Sequence, residues 1–155
     1  MEDSMLTMRQ LRDAGRYEEA LEMHYEMMES GSAKATVKQR ANDFNYLSVI
    51  LCELQRWADA ESAAREAICL LDGRTDVKGY DETLGCYKAV LAEALLRQHK
   101  YDEGLKVKEE SIAHYSIFHN PPDDFLNRMV KQYKQMKMWV RKMKEDQQSS
   151  APDDA

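Results

Sequence analysis

The sequence predicts an all-α protein built from about three similar helix pairs and closed by a C-terminal capping helix. Three observations lead to this prediction. Only six glycines and three prolines interrupt 155 residues, so long helices are favoured over hairpins. Three segments repeat one apolar pattern, and a last segment carries an apolar residue at every third or fourth position.

Each repeated segment contains an apolar stretch, a short polar break, an aromatic residue and a small residue three positions later. The aromatic residues recur at spacings of 40 and 44 residues. We expect the aromatic side chain to anchor the second helix of a pair on the first, and the small residue to let the two axes approach to about 8 Å. The aromatic and small residues are Tyr17 and Ala20, Trp57 and Ala60, and Tyr101 and Gly104.

Seven helices follow from the apolar residues and the breaks between them. We expect them near residues 3–13, 17–30, 34–54, 57–72, 81–98, 101–118 and 122–147. Acidic residues follow Tyr80 and Pro122 and favour helix starts at both places, with Pro122 at the first helical position. Residues 1–147 are therefore predicted to form a single helical repeat domain, and residues 148–155 a disordered acidic tail.

The last predicted helix carries both an apolar stripe and concentrated positive charge. Residues 128–144 hold seven basic residues and no acidic one, although the net charge of the chain is −6. We interpret this helix as a cap on the third pair. The alternatives are that it docks on a membrane surface or in a protein groove, or that it mediates self-association. The stripe comprises Phe125, Met129, Tyr133, Met136, Val140 and Met143. The candidate accessory basic surface comprises Lys131, Lys134, Lys137, Arg141 and Lys142.

Three turn motifs carry a resemblance to a known family. GRYEEAL at 15–21, QRWADAE at 55–61 and HKYDEGL at 99–105 are similar to the turn of the tetratricopeptide repeat (TPR) family, and the likeness covers roughly residues 3–118. It implies a right-handed α-solenoid of TPR-like helix pairs that binds proteins in a concave groove. The units are longer than the usual length of about 34 residues, which resembles the variety found in kinesin light chains. The usual terminal proline appears only after the third unit.

In this family the first helices of the pairs line the groove, and helical spacing then selects the candidate contacts. Asparagines in such a groove can hold an extended peptide by its main chain, since the amide both donates and accepts. The candidate groove residues are Met5, Arg9, Arg12, Asn42, Asn45, Val49, Glu53, Ala89, Glu93 and Arg97.

Members of the family that bind the acidic C-termini of heat-shock chaperones use a clamp of lysine, arginine and asparagine. The matching positions here contain a single cation, and Glu93 would repel a terminal carboxylate. We therefore expect no strong binding of such a tail. The positions hold Met5, Arg9, Tyr46, Ala89 and Glu93.

No sequence motif indicates catalysis, a metal or a cofactor. The four histidines are scattered, and His114 and His119 lack the i, i+4 spacing of a helical metal pair. His24 lies on the packing face of a helix, where we expect a core histidine. There is no CxxC, GxSxG or glycine-rich phosphate loop. The sequence predicts a protein that is not an enzyme.

Charge and hydropathy restrict the partners and the location. An acidic body argues against nucleic-acid binding, which needs a basic face. No apolar stretch is long enough for a transmembrane helix, and the first residues lack the pattern of a signal peptide. Three cysteines, an odd number, favour reduced thiols over a disulfide framework. We expect a cytoplasmic protein.

Two functions remain open at this point. The first is an adaptor or scaffold that holds a peptide or helix of a partner protein in the groove. The alternative is a structural subunit of a larger assembly, which would oligomerise through its methionine-rich last helix.

Overall fold

The computed structural model describes residues 9–31 and 36–150. This part of the chain is all-helical and contains no strand, so the predicted all-α class is confirmed. The helices are α1 (9–13, at the start of the described chain), α2 (Tyr17–Gly31), α3 (Val37–Glu53), α4 (Trp57–Leu71), α5 (Tyr80–Arg97), α6 (Tyr101–Phe118) and α7 (Asp124–Ser149).

Two helix starts are set by side-chain caps. Helix α3 begins after Thr36, whose hydroxyl accepts from the Gln39 amide at 3.2 Å, while Oε1 of Gln39 accepts from the Thr36 amide at 2.8 Å. This capping box satisfies two amides that have no partner inside the helix. Helix α7 begins after Asp123, whose carboxylate accepts from the Leu126 amide at 2.9 Å. The prediction that Pro122 occupies the first position of the helix is wrong. Pro122 precedes α7, because Asp123 caps the helix and Asp124 is its first residue.

The C-terminal boundary also differs from the prediction. Helix α7 continues to Ser149, so the first two residues of the predicted disordered tail are helical. Residues 151–155 of that tail lie outside the described residues.

Three turns of the chain share one backbone geometry. They join α1 to α2, α3 to α4 and α5 to α6, and each contains one residue in the left-handed conformation: Gly15 (φ 75°), Gln55 (φ 57°) and His99 (φ 63°). The amide of the next residue donates to the carbonyl five residues earlier: Arg16 to Leu11 at 2.8 Å, Arg56 to Leu51 at 2.9 Å and Lys100 to Leu95 at 3.0 Å. This is the Schellman arrangement. The three predicted turn motifs thus adopt the same conformation.

Helices α3 and α4, and likewise α5 and α6, make the most extensive contacts, and α4 also packs against α5. The small residues of the repeated pattern, Ala20, Ala60 and Gly104, are all buried. A Cβ atom added to Gly104 would lie 2.8 Å from Cγ of Leu96, which is closer than atoms can pack. This confirms that a small residue permits the close approach of α5 and α6.

Each of these two pairs is also joined by one buried hydroxyl. Ser48 Oγ on α3 donates to the carbonyl of Ala60 on α4 at 2.9 Å. Ser111 Oγ on α6 donates to the carbonyl of Gly85 on α5 at 2.6 Å. Both serines are fully buried, so the bonds link neighbouring helices inside the core.

Helix α7 packs along α6, through two small apolar clusters. Val140 contacts the cluster of Leu96 and Tyr101, and the second cluster is formed by Leu126, Met129 and Tyr115. Met129 and Val140 of the predicted stripe are buried, whereas Phe125 is 39 % exposed. Leu126 is buried against Tyr115 of α6, and the partly exposed Phe125 ring lies 5.3 Å from the same Tyr115 ring.

Among the helices of the described residues, none has the length and apolar character needed to cross a bilayer.

Candidate functional site

Helices α3, α5 and α7 line a surface groove that consists of two adjoining cavities. The α7-side cavity has a volume of about 810 Å³ and lies between α5, α6 and α7. The α3-side cavity has a volume of about 400 Å³ and lies between α3 and α5. The two cavities share Val90, Glu93 and Arg97 of α5, so they form one continuous groove.

Five of the predicted contact residues line this groove. Val49 and Glu53 of α3 lie at the α3-side cavity, Ala89 of α5 lies at the α7-side cavity, and Glu93 and Arg97 of α5 line both. Within each helix these residues are four apart, which places them on one face. The residues that helical spacing selected thus lie together at the groove, and their contact with a ligand stays a prediction.

The two predicted asparagines lie on the same face of α3, but neither lines the two cavities. The amide oxygen of Asn42 accepts a hydrogen bond from the hydroxyl of Tyr87 on α5. That oxygen is therefore already used within the chain. Oδ1 of Asn45 is buried, with no hydrogen-bond partner among the described residues.

The predicted contacts from the first unit are not brought into the groove. The guanidinium carbon of Arg12 lies 5.4 Å from the centre of the Tyr46 ring, and Arg9 is exposed. Arg12 is thus held against α3 by a cation–π contact. Met5 lies outside the described residues.

The α7-side cavity contains residues that the sequence reasoning missed. Helix α7 forms one wall of this cavity, and its Trp139 is 46 % exposed. Lys108 of α6 also lines the cavity, although only 8 % of this residue is exposed. A signal for Lys108 was present in the sequence. The buried face of α6 follows a three- and four-residue spacing, and a lysine stands in a row of otherwise aromatic or small residues. That row is Tyr101, Gly104, Lys108, Ser111 and Tyr115.

The charges at the two ends of the groove differ. Burial lowers the pKa of Lys108, while the negative charge of Glu93 acts in the opposite direction. At the α3 side, burial and then the charges of Glu93 and Glu53 raise the pKa of the Cys52 thiol to about 12. Between them, the guanidinium carbon of Arg97 lies 5.5 Å from the centre of the Trp57 ring. Among the charged residues, Glu53 lines only the α3 side of the groove and Lys108 only the α7 side, whereas Glu93 and Arg97 line both.

A second polar cluster lies between α2 and α3. His24 is 1 % exposed, which confirms the predicted core histidine, and its ring centre lies 5.8 Å from that of Tyr46. Neither ring nitrogen of His24 has a hydrogen-bond partner among the described residues, nor has the Tyr46 hydroxyl. Burial lowers the pKa of His24, because charging the ring here would cost its hydration.

Titratable groups also connect α5 and α6. His114 Nδ1 lies 3.0 Å from Asp81, and its Nε2 lies 3.2 Å from the ammonium of Lys88. Lys88 in turn lies 3.3 Å from Glu110. In the described part of the chain, no three His, Cys, Asp or Glu side chains are arranged to hold a metal ion. The network therefore has the character of an interhelical ionic contact.

The predicted basic surface is exposed along α7. All five of its residues, Lys131, Lys134, Lys137, Arg141 and Lys142, are exposed. The ammonium of Lys137 lies 4.8 Å from the centre of the Tyr133 ring. None of the five lines the two cavities of the groove.

Comparison with known proteins gives no match, either to a protein-family model or to a curated protein.

Proposed function

We propose that this chain is a non-catalytic protein-interaction module that binds a peptide segment or helix of a partner protein in the groove between α3, α5 and α7. The groove itself is the observation that supports this proposal. It joins residues from three helices that are distant in sequence, and it combines an apolar floor with charged residues at both ends. Sites of this kind bury apolar side chains of a ligand and orient it through a few polar groups.

The proposal includes the architecture in which such grooves occur. The helices form a right-handed α-solenoid of three TPR-like pairs, with α7 as the cap, in a cytoplasmic protein without catalytic activity. The three matching Schellman turns and the three buried small residues support this arrangement. In such an array the odd-numbered helices line one side. Helices α3, α5 and α7 provide most of the groove residues, to which α6 adds Lys108 and α4 adds Trp57.

Site-specific photo-crosslinking tests the groove as the binding surface. A photoreactive amino acid replaces Ala89 in the groove, and in a matched control it replaces Ser62, which is exposed on α4. We expect a defined partner segment to crosslink from position 89 and not from position 62. Equal crosslinking from both positions, or none from position 89, contradicts the proposal.

The segment found in this way is then synthesised and titrated by calorimetry. Replacing Ala89 with tryptophan fills the α7-side cavity, and we expect this to weaken binding by about tenfold or more, which is about 1.4 kcal/mol. Ser62→Trp adds the same side chain outside the groove and should leave the affinity unchanged. Circular dichroism establishes that both variants are folded.

Self-association through α7 is the second candidate function, and exposed apolar residues favour it. Met138 of α7 is 73 % exposed, and Ile117 and Phe118 at the end of α6 are 65 % and 58 % exposed. Static light scattering on the wild type and on Met138→Glu tests this function. A dimer that the substitution converts to monomer supports oligomerisation, and a monomeric wild type excludes it.

A further inference from the structure

The most unusual residue of the groove is Lys108. Its side chain belongs to the buried face of α6, between Gly104 and Ser111, both of which contact α5. Only 8 % of the residue is exposed, yet it lines the α7-side cavity. The aliphatic stem can pack between the helices while the ammonium reaches the cavity, as long cationic side chains do.

The ammonium of Lys108 has no anionic partner within the described chain. No carboxylate oxygen of the described residues lies within 4.0 Å of it, and it makes no hydrogen bond to them. Glu93 is near enough to affect it electrostatically but does not form an ion pair with it. The Nζ atom is not among the fully buried polar atoms of the described residues, so the ammonium opens to the cavity, where a ligand carboxylate can pair with it.

Apolar side chains form a large part of the cavity around Lys108. Leu96 and Val90 of α5 and Met136 and Trp139 of α7 line the same cavity, and Trp139 presents almost half of its surface. An exposed indole beside aliphatic side chains suits a large apolar side chain of a ligand. Gln132 and Gln135 also line this cavity, and their amides can both donate and accept hydrogen bonds to a peptide main chain.

The other end of the groove fixes where a negative charge of the ligand can lie. Glu53 lines only the α3-side cavity and repels a carboxylate there, whereas Glu93 lines both cavities and does not distinguish between them. Arg97 is partly engaged by the Trp57 ring. Because Lys108 lines only the α7 side and Glu53 only the α3 side, the α7 side is the more favourable position for an anionic group of the ligand.

We propose that the groove selects a peptide segment in which an acidic side chain, bound by Lys108, lies next to a large apolar side chain packed against Trp139. This inference rests on the proposed function and specifies the chemistry of the partner segment. It places recognition on the second helix of the third pair and on α7, away from the α3 side of the groove.

Selection from a random 12-residue peptide phage library on the whole chain tests the inference. Counter-selection on Ala89→Trp keeps the peptides that need an open groove. We expect these to carry Asp or Glu next to Leu, Phe or Trp. The selected peptides are synthesised, together with analogues in which the acid is replaced by its amide, and their Kd values are measured by fluorescence anisotropy.

A double-mutant cycle then assigns the acid to Lys108. We expect the amide analogue to bind the wild type about tenfold more weakly or worse, and the acid and amide peptides to bind Lys108→Met alike. Lys106→Met, an exposed position on the same helix, is the matched control and should keep the wild-type preference. Groove-dependent peptides without an acid, or an acid preference that survives in Lys108→Met, overturn the inference and leave the proposed function standing. A library that yields no groove-dependent peptide overturns both.

The unliganded chain provides a second measurement. A side chain kept for ligand binding is replaceable by an apolar one of similar length without loss of stability. We expect the Tm of Lys108→Met to equal or exceed that of the wild type and of Lys106→Met. A Tm lower by more than a few degrees would show that the ammonium is bonded in the free chain, and the inference would be wrong.

Discussion

The two middle helix pairs are held together differently from the two ends of the chain. In α3–α4 and α5–α6 a buried small residue, Ala60 or Gly104, brings the helices close, and a buried serine hydroxyl bonds to the neighbouring backbone. At one end, α7 buries only three of its 26 residues. At the other end, α2 packs on α3 through His24, whose ring nitrogens have no partner among the described residues.

This difference shows where the chain has room for a ligand. Close contact within a pair leaves no space between the helices, since even one added Cβ at Gly104 would collide with Leu96. The looser attachment of α7 leaves a cavity of about 810 Å³ against α5 and α6. The interfaces that provide stability and the interface that provides the groove are therefore separate, and the variants below test this separation.

The largest effect is expected inside the α3–α4 pair. Ala60→Glu puts a long charged side chain at a position that is 0 % exposed. Because it combines overpacking with burial of a charge, we expect it to lower the free energy of unfolding by about 3–5 kcal/mol. Urea unfolding followed by circular dichroism measures it. Ser62→Glu, two residues away and exposed, should stay within about 0.5 kcal/mol of the wild type. An equally small change for Ala60→Glu would mean that the pair is not closely packed there.

Val140→Asp should break the attachment of α7 and lower the free energy of unfolding by about 2–4 kcal/mol. Val140 is only 2 % exposed and packs against Leu96 and Tyr101. Hydrogen exchange should show loss of protection in α7, while α3 and α4 remain protected. Met138→Asp, at a position that is 73 % exposed, is the matched control. Loss of protection throughout the chain would show that α7 is part of one cooperative core.

Gly104→Ala should destabilise the chain by about 1–3 kcal/mol, since the new Cβ would meet Leu96. Leu96→Ala removes the colliding atoms, so the double variant should cost less than the sum of the two single changes. Denaturant unfolding of the four chains gives this coupling energy. If the two losses in free energy of unfolding are additive, the contact between residues 104 and 96 is not the source of the strain.

The smallest effect concerns pH at the α2–α3 end. Burial lowers the pKa of His24, so the folded chain favours the neutral ring. The neutral ring contributes to the free energy of unfolding in full above the ordinary histidine pKa of about 6.5. This contribution is lost as the pH falls toward the lowered pKa, because the unfolded chain then binds a proton that the folded chain does not. The free energy of unfolding changes by at most about 1.4 kcal/mol per pH unit. Thermal unfolding between pH 7.5 and 5.5 should show the loss in the wild type and a smaller one in His24→Leu. The same slope in both chains would exclude His24 as its origin.

Most of the fold was predictable because its signals are local. Apolar spacing and the aromatic-to-small pattern depend on residues within one helix pair, and they gave the helices and the buried small residues. The start of α7 was not predictable to the residue, since Pro122 and Asp123 are both acceptable at a helix start. Whether Phe125 or Leu126 is buried depends on where α6 lies, and a single helix pattern does not contain that information.

The groove residues likewise fall into those that the sequence indicated and those that it did not. Val49, Glu53 and Glu93 were found because they repeat along the exposed faces of first helices. The contribution of α7, with Trp139, was missed, since it depends on how the last helix lies against the third pair. Arg12 does not line the two cavities and packs on the Tyr46 ring, a tertiary contact that helical spacing cannot indicate.

The three matching turns bear on how a chain of this kind can change in evolution. Each turn reverses the chain with the same left-handed residue and the same pair of backbone hydrogen bonds, whether that residue is Gly15, Gln55 or His99. The direction in which the next helix leaves is thus set by the main chain. Because side chains take little part in this geometry, the residues at these exposed turns can change without altering the direction of the second helix of a pair.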